Sequence, residues 1–408
     1  MSSPFMKRAF DFGLILCLMF FVVPFTMAQG VERPEEEVKL PTDALKAIYE
    51  AQLLMNEEQF DEAIARINEY LATQPFDVPA KVYMVLGNCW WNKENFEETR
   101  NAFKKAYEIE PTNESALKNY AVMEYQTERF ADAAVLFEKL YEIEEPPSSK
   151  TLFQAAGAYY TAEDYKNTKR VLVRLLGLPG TPDPQWYKLI IEVSYAMEQW
   201  AEVERYILEF LKMDPLQSYY WSMLSQLRLD KNELKTGASD LEIAFRIEPP
   251  KRQSQWRNLS ELYRYVQAPL MEVRTLKEGY KSDDDPKGYV RIAKAYEFAL
   301  RYDEAVKTLD EGIKKNPDSA DLLFEKGMLL YHARRYKEAI EAYKACTKLD
   351  PKQGVAYIYW GECAMLLKDW DEARTALAKA SRLPKYRTQA NNAIEGLDRL
   401  IRERDEVN

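Results

Sequence analysis

Histidine is almost absent from this sequence, which contains a single one, His332, in 408 residues. One imidazole supplies neither a histidine-based catalytic triad nor a histidine metal cluster, and paired cysteines and glycine-rich phosphate loops are also missing. His332 lies among Arg334, Arg335 and Lys337, which is typical of an exposed helix face. The sequence therefore predicts no catalytic residue, no metal site and no cofactor.

A concentrated basic region is missing as well. The chain has 56 Lys and Arg against 66 Asp and Glu, a formal net charge of −10, and the two signs are mixed along its length. Proteins that bind nucleic acids neutralise phosphates with clustered Lys and Arg. Nucleic acid is therefore not an expected partner.

Long apolar runs are missing except near the amino terminus, where two basic residues precede a run from Phe12 to Phe25. The run ends near small residues at Ala28, which is the pattern of a secretory signal peptide. We predict a signal peptide over residues 1–28, cleaved after Ala28, and a periplasmic protein. An uncleaved membrane anchor is the alternative, although the run is shorter than the ~20 residues of a spanning helix and Pro24 interrupts it. The chain would otherwise reach a membrane only through its partners.

Cysteine is too scarce for a disulfide framework. Removal of the predicted leader leaves Cys89, Cys346 and Cys363, and an odd number of thiols cannot all pair within one chain. All three lie in apolar, helical surroundings and are expected to be buried thiols. A bridge between Cys346 and Cys363 is the alternative.

Two-residue alternation of apolar and polar residues is not sustained anywhere, so no strands are expected. Residues 29–43 combine acidic residues with prolines and are predicted to be a linker. Beyond them, apolar residues recur every three or four positions, and prolines repeat with a period of 34 residues. The periodic prolines are Pro215 with Pro249 and Pro317 with Pro351. A period of this length predicts a helical repeat protein.

Residues 80–113 resemble the tetratricopeptide repeat, in which aromatic and small residues alternate at fixed places on two helices before a closing proline. Residues 286–319, 320–353 and 354–385 carry the same pattern. In residues 80–113 the matching residues are Tyr83, Leu86, Gly87, Trp90, Phe96, Thr99, Phe103, Ala106 and Pro111. Small residues such as Gly87 are expected where helices approach closely.

The resemblance implies an all-α, right-handed superhelical solenoid of about ten helix hairpins, closed by a carboxy-terminal capping helix. It divides the chain into an array of six units over residues 44–252 and an array of three over residues 286–385. Residues 253–285 form a degenerate unit, in which Glu272 occupies a small-residue position and a bend is possible. Residues 386–408 form the cap and tail.

In this family the first helices of the repeats line the concave face, where extended peptides bind. Trp91, Tyr125, Tyr160 and Tyr195 fall at equivalent places in four consecutive units. Aromatic rings flanked by amide and hydroxyl groups suit an extended peptide, although the same rings are also suited to packing between helices. The predicted peptide-binding residues are Trp91, Tyr125, Tyr160, Tyr195, Asn88, Asn92, Gln126 and Thr161.

The overall design is similar to that of exported tetratricopeptide proteins associated with TonB and ExbB/ExbD energy transduction. That resemblance implies a non-enzymatic periplasmic scaffold that binds a protein or peptide segment, with TonB, ExbB or ExbD components as candidate partners. Two alternatives stay open. One is an envelope assembly factor in polysaccharide export or outer-membrane protein handling, and the other is a non-catalytic subunit of an enzyme complex.

Overall fold

The computed structural model describes residues 40–74, 77–281 and 284–407, and for residues 403–407 it describes the backbone alone. The predicted signal peptide, its cleavage site after Ala28 and most of the predicted linker lie outside these residues. All regular structure in the described part of the chain is α-helical. No helix there is long and apolar enough to cross a membrane.

Twenty-one helices follow one another within the described residues. Odd-numbered helices up to α19 are the first helices of ten hairpins, and even-numbered helices are the second helices. In chain order the helices are α1 (Thr42–Asn56), α2 (Phe60–Thr73), α3 (Ala80–Asn92), α4 (Phe96–Ile109), α5 (Glu114–Gln126), α6 (Phe130–Ile143), α7 (Ser149–Thr161), α8 (Tyr165–Leu176), α9 (Pro184–Ala196), α10 (Trp200–Met213), α11 (Ser218–Asp230), α12 (Leu234–Ile247), α13 (Gln253–Tyr265), α14 (Pro269–Gly279), α15 (Pro286–Phe298), α16 (Tyr302–Lys315), α17 (Ala320–His332), α18 (Tyr336–Leu349), α19 (Gly354–Leu366), α20 (Trp370–Ser381) and α21 (Arg387–Val407).

Every hairpin turn contains one residue in the left-handed helical region, which we call the turn residue. In the second hairpin the Glu94 N–H donates to the Trp91 carbonyl at 2.8 Å, and the Asn95 N–H donates to the Trp90 carbonyl at 3.1 Å. These two bonds close a Schellman motif, which usually has glycine at its left-handed position. Here residues other than glycine occupy the left-handed position in all ten hairpins. Positions in each repeat can therefore be counted from its turn residue. The turn residues are Glu58, Glu94, Glu128, Glu163, Glu198, Asn232, Gln267, Leu300, Arg334 and Lys368.

Small residues lie where the two helices of a hairpin approach closely, as the sequence predicts. A Cβ atom at Gly87 would lie 2.5 Å from the ring of Phe103, and one at Gly361 would lie 2.7 Å from the Leu377 side chain. Phe103 and Leu377 are fully buried. The larger side chain on the second helix therefore fills the space that glycine leaves on the first helix.

The chain divides into two compact units, one ending at Phe210 and the other beginning at Leu211. In each unit consecutive helices pack on one another and share buried aliphatic, alanine and aromatic side chains. Helices of about a dozen residues are marginal alone in water, so this packing supplies most of their stability. The predicted all-α solenoid of helix hairpins is confirmed. The predicted bend over residues 253–285 stays a prediction.

The degenerate repeat keeps both helices, α13 and α14. Pro269 occupies the first turn of α14, where its missing N–H costs no helical bond. Glu272 is buried at the position where other repeats have a small residue, and its carboxylate accepts from Arg264 Nε at 3.0 Å. An ion pair thus replaces the usual contact between a small residue and its neighbours.

Helix α21 covers the last hairpin, as predicted for a cap. Ala390 and Leu397 are fully buried, and Ala393, Ile394 and Ile401 pack partly buried against the same core. The helix also forms an ion pair between Asp398 and Arg374 of α20. The apolar face of the final repeat is therefore covered rather than exposed to water.

The three cysteines in the described residues are buried and free, in agreement with the buried-thiol interpretation and not with a bridge between Cys346 and Cys363. Burial raises the pKa of the Cys89 and Cys346 thiols to about 11 and that of Cys363 to about 12. A thiol with a raised pKa contains little thiolate at neutral pH, and these groups are therefore chemically inert.

Candidate functional site

The four aromatic residues predicted to bind peptide form what we call the aromatic row: Trp91, Tyr125, Tyr160 and Tyr195. Each lies three residues before its turn residue, in the last turn of a first helix, and each is partly buried. Each ring packs on the first residue of the following helix. The centroid distances are 5.6 Å for Trp91 and Phe96, 5.0 Å for Tyr125 and Phe130, 5.9 Å for Tyr160 and Tyr165, and 5.1 Å for Tyr195 and Trp200. The rings are thus equivalently placed, but packing within the hairpin occupies part of each one.

Hydroxyl groups of the aromatic row bond sideways to the next repeat. The Tyr125 hydroxyl lies 3.5 Å from Thr161 Oγ1, and the Tyr160 hydroxyl donates to Glu192 Oε1 at 2.7 Å. Thr161 also donates to the Gly157 carbonyl at 2.9 Å. These hydroxyls therefore connect neighbouring first helices. The exposed parts of the rings are the surface of the aromatic row that a partner can contact.

The amides predicted to assist the aromatic row differ in exposure. Asn92 and Gln126 are exposed, and the Asn92 Nδ2 donates to the Asn88 carbonyl at 2.7 Å. Asn88 is partly buried, and its Oδ1 has no hydrogen-bond partner among the described residues. Asn88 and Asn92 thus lie on adjacent turns of α3, whereas Gln126 lies at the end of α5.

The second unit contains a cleft between the first helices α15 and α17, with a volume of about 260 Å³. Its floor is apolar and its edges carry charged groups. The apolar lining residues are Val290, Ala293, Leu309, Phe324, Met328 and Leu329, and the polar ones are Lys294, Glu297, Glu325 and His332. Such a floor favours burial of an apolar side chain from a ligand.

One salt bridge and one contact between a histidine and a carboxylate cross the cleft from α15 to α17. Lys294 Nζ lies 2.8 Å from Glu325 Oε1, and His332 Nδ1 lies 2.6 Å from Glu297 Oε1. His332 is 47% exposed, so it lies at the surface as the sequence predicts, but it is a cleft residue with a specific carboxylate partner. Within the described residues no group of three metal-ligating side chains surrounds it or any other position.

Sequence reasoning missed this cleft because its residue types change from one repeat to the next. Lys294 and Met328 occupy the same place, six residues before their turn residues, yet one is cationic and the other is apolar. The aromatic row was found because its residue type repeats with its position. The available signal was a partly buried apolar residue at this position, Met328, flanked by charges of opposite sign on successive first helices.

Two family profiles, both described as tetratricopeptide repeat, match the sequence. One matches residues 50–114 and 290–354, and the other matches residues 330–383. These segments correspond to hairpins at both ends of the helical region. The segment 290–354 includes all the residues that line the cleft between α15 and α17.

Several solved structures resemble the chain in fold. YrrB, described as a tetratricopeptide protein with an unusual peptide-binding site, is 14% identical with a TM-score of 0.33, covering 46% of this chain and 97% of its own. Yeast Tom70 is 16% identical with a TM-score of 0.32, covering 88% and 96%. MamA from Desulfovibrio magneticus RS-1 is 22% identical with a TM-score of 0.31, covering 38% and 98%.

One curated relative is the signal recognition particle subunit SRP72 of Dictyostelium discoideum. It is 26% identical over 191 residues, which are 46% of this chain. The match spans only 27% of the length of that protein.

Proposed function

Since the chain is a tetratricopeptide repeat protein, and thus a scaffold for protein–protein interaction, we propose that it binds an extended segment of a partner protein along its first helices. The protein itself performs no chemistry in this proposal. The cleft between α15 and α17 is the observation that carries it. The aromatic row in the first unit is a further proposed contact surface.

The size and lining of the cleft support a segment rather than a free small molecule. Pockets for small ligands usually have volumes of roughly 300–1,000 Å³, whereas this cleft has about 260 Å³. That space suits one or two side chains of an extended chain. Burial of a Leu- or Phe-sized side chain on the floor formed by Phe324 and Met328 contributes ~1.5–3 kcal/mol.

The aromatic row supports the same mode of binding with a different chemistry. Because the Tyr125 and Tyr160 hydroxyls already bond to the next repeat, we propose that a segment contacts the row by stacking on its rings. The exposed amides of Asn92 and Gln126 would then bond to the backbone of the segment.

Site-specific photo-crosslinking tests the proposal. A photo-reactive amino acid is placed at Met328 in the cleft, and in a matched control at Lys307, an exposed residue of the second helix α16. In the native cells we expect a discrete crosslinked product from Met328 and none from Lys307. Each probe is placed in an otherwise unchanged chain, so a difference between the two products reflects the position of the probe.

If both positions give only heterogeneous crosslinked products, or if both give the same products in equal amounts, the face formed by the first helices has no specific partner. The crosslinked region of the partner is then mapped by mass spectrometry. A single short segment supports binding of an extended chain, whereas products scattered over a folded domain contradict it.

We propose further that the protein is exported to the periplasm and that its partner belongs to a TonB, ExbB and ExbD system. The apolar run and Ala28 support export, and the similarity of overall design supports the partner. A mature chain that begins at Gln29 in the periplasmic fraction is the expected result. A crosslinked partner from polysaccharide export, outer-membrane protein handling or an enzyme complex would contradict the TonB assignment without contradicting the scaffold.

A further inference from the structure

Buried carboxylates in the second unit have arginine partners. Three such carboxylates are at most 5% exposed. Removing a carboxylate from water is costly, and an arginine that contacts it offsets much of that cost. The pairs are Asp240 with Arg228 at 2.8 Å, Glu242 with Arg274 at 2.6 Å, and Glu272 with Arg264 at 3.0 Å.

Glu362 is a partly buried carboxylate without such a partner. It lies on the first helix α19, six residues before the turn residue Lys368, and therefore at the same place as the cleft residues Lys294 and Met328. Its side chain is partly buried, and burial raises its pKa above the ordinary value of 4.5. No Lys, Arg or His among the described residues forms an ion pair with it.

Tyr359 lies one helical turn before Glu362 on α19 and belongs to a cluster of tyrosine rings. Tyr331 and Tyr359 meet edge to face at 5.4 Å, and Tyr343 stacks on Tyr359 at 6.1 Å. Burial is the main cause that raises the pKa of the Tyr331 and Tyr343 hydroxyls, and the charge of Glu362 is a smaller cause for both. Because Glu362 follows Tyr359 by three residues on the same helix, the two side chains share a helix face, and Tyr331 meets Tyr359 at this face.

The Tyr343 hydroxyl is a buried unsatisfied group in the same cluster of rings. Tyr343 is 0% exposed, and its hydroxyl has no hydrogen-bond partner among the described residues. Its ring contacts Phe324 at 6.0 Å, and Phe324 lines the cleft between α15 and α17. The tyrosine cluster is thus continuous with the cleft.

We propose that Glu362, Tyr331 and Tyr359 form a subsite that binds a lysine or arginine side chain of the partner segment. This inference rests on the proposed function and specifies its chemistry. A cation over tyrosine rings gains a cation–π attraction, and a charge-assisted hydrogen bond to Glu362 satisfies the partly buried carboxylate. An apolar side chain of the same segment enters the cleft one repeat earlier.

The net charge of −10 favours a basic segment over an acidic one, because long-range attraction speeds its approach. The cleft is the weaker source of a preference for a cation. Its two carboxylates already contact nitrogen atoms, Glu325 that of Lys294 and Glu297 that of the His332 ring. Glu362 is therefore the residue on which the selectivity depends.

The test uses a random dodecapeptide library displayed on phage and three forms of the full chain. These are the wild type, Glu362→Gln, and the control Glu311→Gln, which makes the same charge change at an exposed position of α16. The wild type and the control are expected to select peptides with Lys or Arg near an apolar residue. Glu362→Gln is expected to retain the apolar preference and lose the basic one. Circular dichroism verifies that all three are folded.

A double-mutant cycle with one selected peptide then measures the contact. Glu362→Gln, and Lys→Gln in the peptide, should each weaken the affinity ~5- to 10-fold, and the two changes together should weaken it little further. If Glu362→Gln folds poorly, the affinity of the wild-type chain for the Lys→Gln peptide still tests the contact.

Peptides that bind the wild type without basic residues, or basic peptides that bind Glu362→Gln equally well, would overturn the subsite and leave segment binding intact. If none of the three proteins selects any peptide, segment binding itself fails, and the subsite fails with it.

Discussion

The carboxylate of Glu362 is unfavourable for folding at neutral pH. Burial raises its pKa above 4.5, so the folded state favours the protonated form. The neighbouring titratable groups are Tyr331, Tyr343 and Cys363, all uncharged at neutral pH because burial raises their own pKa values. The cost of the charge is therefore fully present well above the raised pKa, and it disappears below 4.5, where the carboxyl is protonated in both states.

We accordingly predict that Glu362→Gln raises the melting temperature at pH 7, and that the gain shrinks as the pH falls toward 4.5. Thermal melts of the variant and the wild type at a series of pH values measure this. Glu311→Gln, at an exposed site, should show no comparable gain at any pH. A gain that is constant with pH would mean that the amide improves packing and that the charge is not the cause. A residue that lowers stability but improves binding is typical of functional sites.

Two glycines in different surroundings should respond in opposite directions to the same substitution. A Cβ at Gly87 would lie 2.5 Å from the buried Phe103 ring, whereas a Cβ at Gly396 of α21 would meet nothing within 4 Å. Gly87→Ala should lower the free energy of unfolding by ~1–3 kcal/mol through overpacking. Gly396→Ala should raise it by ~0.5–1 kcal/mol through helix propensity. Denaturant titration measures both, and a stabilised Gly87→Ala would show that the hairpin crossing is loose.

At the residue scale, the sequence predicts where a residue lies in its repeat better than it predicts which other residues that residue contacts. The small residue at Gly87 and the placement of Trp91, Tyr125 and Tyr160 could all be predicted, because repetition reveals them. The isolation of Glu362 could not be predicted, because it depends on which cations reach it from other helices. Lys294, at the equivalent position, has a partner on the next first helix, α17, and the sequence alone does not distinguish the two cases.

At the element scale, the degenerate hairpin of α13 and α14 departs from the repeat pattern at two positions, Arg264 and Glu272, and the two residues compensate for each other by forming an ion pair. Arg264 lies three residues before the turn residue Gln267, which is the repeat position that the aromatic row occupies in the first unit. Eight residues after Arg264, Glu272 replaces the usual small residue. At the corresponding places the fourth hairpin has Tyr160 and Thr168. The sequence predicted only a degenerate unit with a possible bend here, because the pairing of Glu272 with Arg264 requires the hairpin geometry.

The pairing predicts strong non-additivity. Arg264→Tyr alone leaves a buried carboxylate without its cation and should lower the free energy of unfolding by ~1–3 kcal/mol. Adding Glu272→Ala restores the common pattern and should recover most of that loss. Urea titration of the two single variants and the double variant measures the coupling. Simple addition of the two single effects would mean that the Arg264–Glu272 pair contributes nothing to the hairpin.

At the scale of the whole molecule, the 34-residue period was sufficient to predict an all-α solenoid, because each hairpin can bury its apolar face only on its neighbours. The same logic predicted the cap at α21 from its amphipathic pattern. It did not predict the cleft between α15 and α17. Repeat packing determines the spacing of the first helices, but it does not determine which side chains lie on their exposed face.

Helix α21 gives the final prediction, since a linear array transmits a local loss of packing mainly to adjacent repeats. Leu397 is fully buried against the last hairpin, whereas Leu400, one turn later, is 45% exposed. Leu397→Ala should cost ~2–5 kcal/mol locally, and Leu400→Ala should cost far less. Hydrogen exchange should accelerate in α19, α20 and α21 of Leu397→Ala and stay unchanged in α1 to α4. Acceleration that extends equally to α1 would show that the chain unfolds as one cooperative block, and the nearest-neighbour description of its stability would then be wrong.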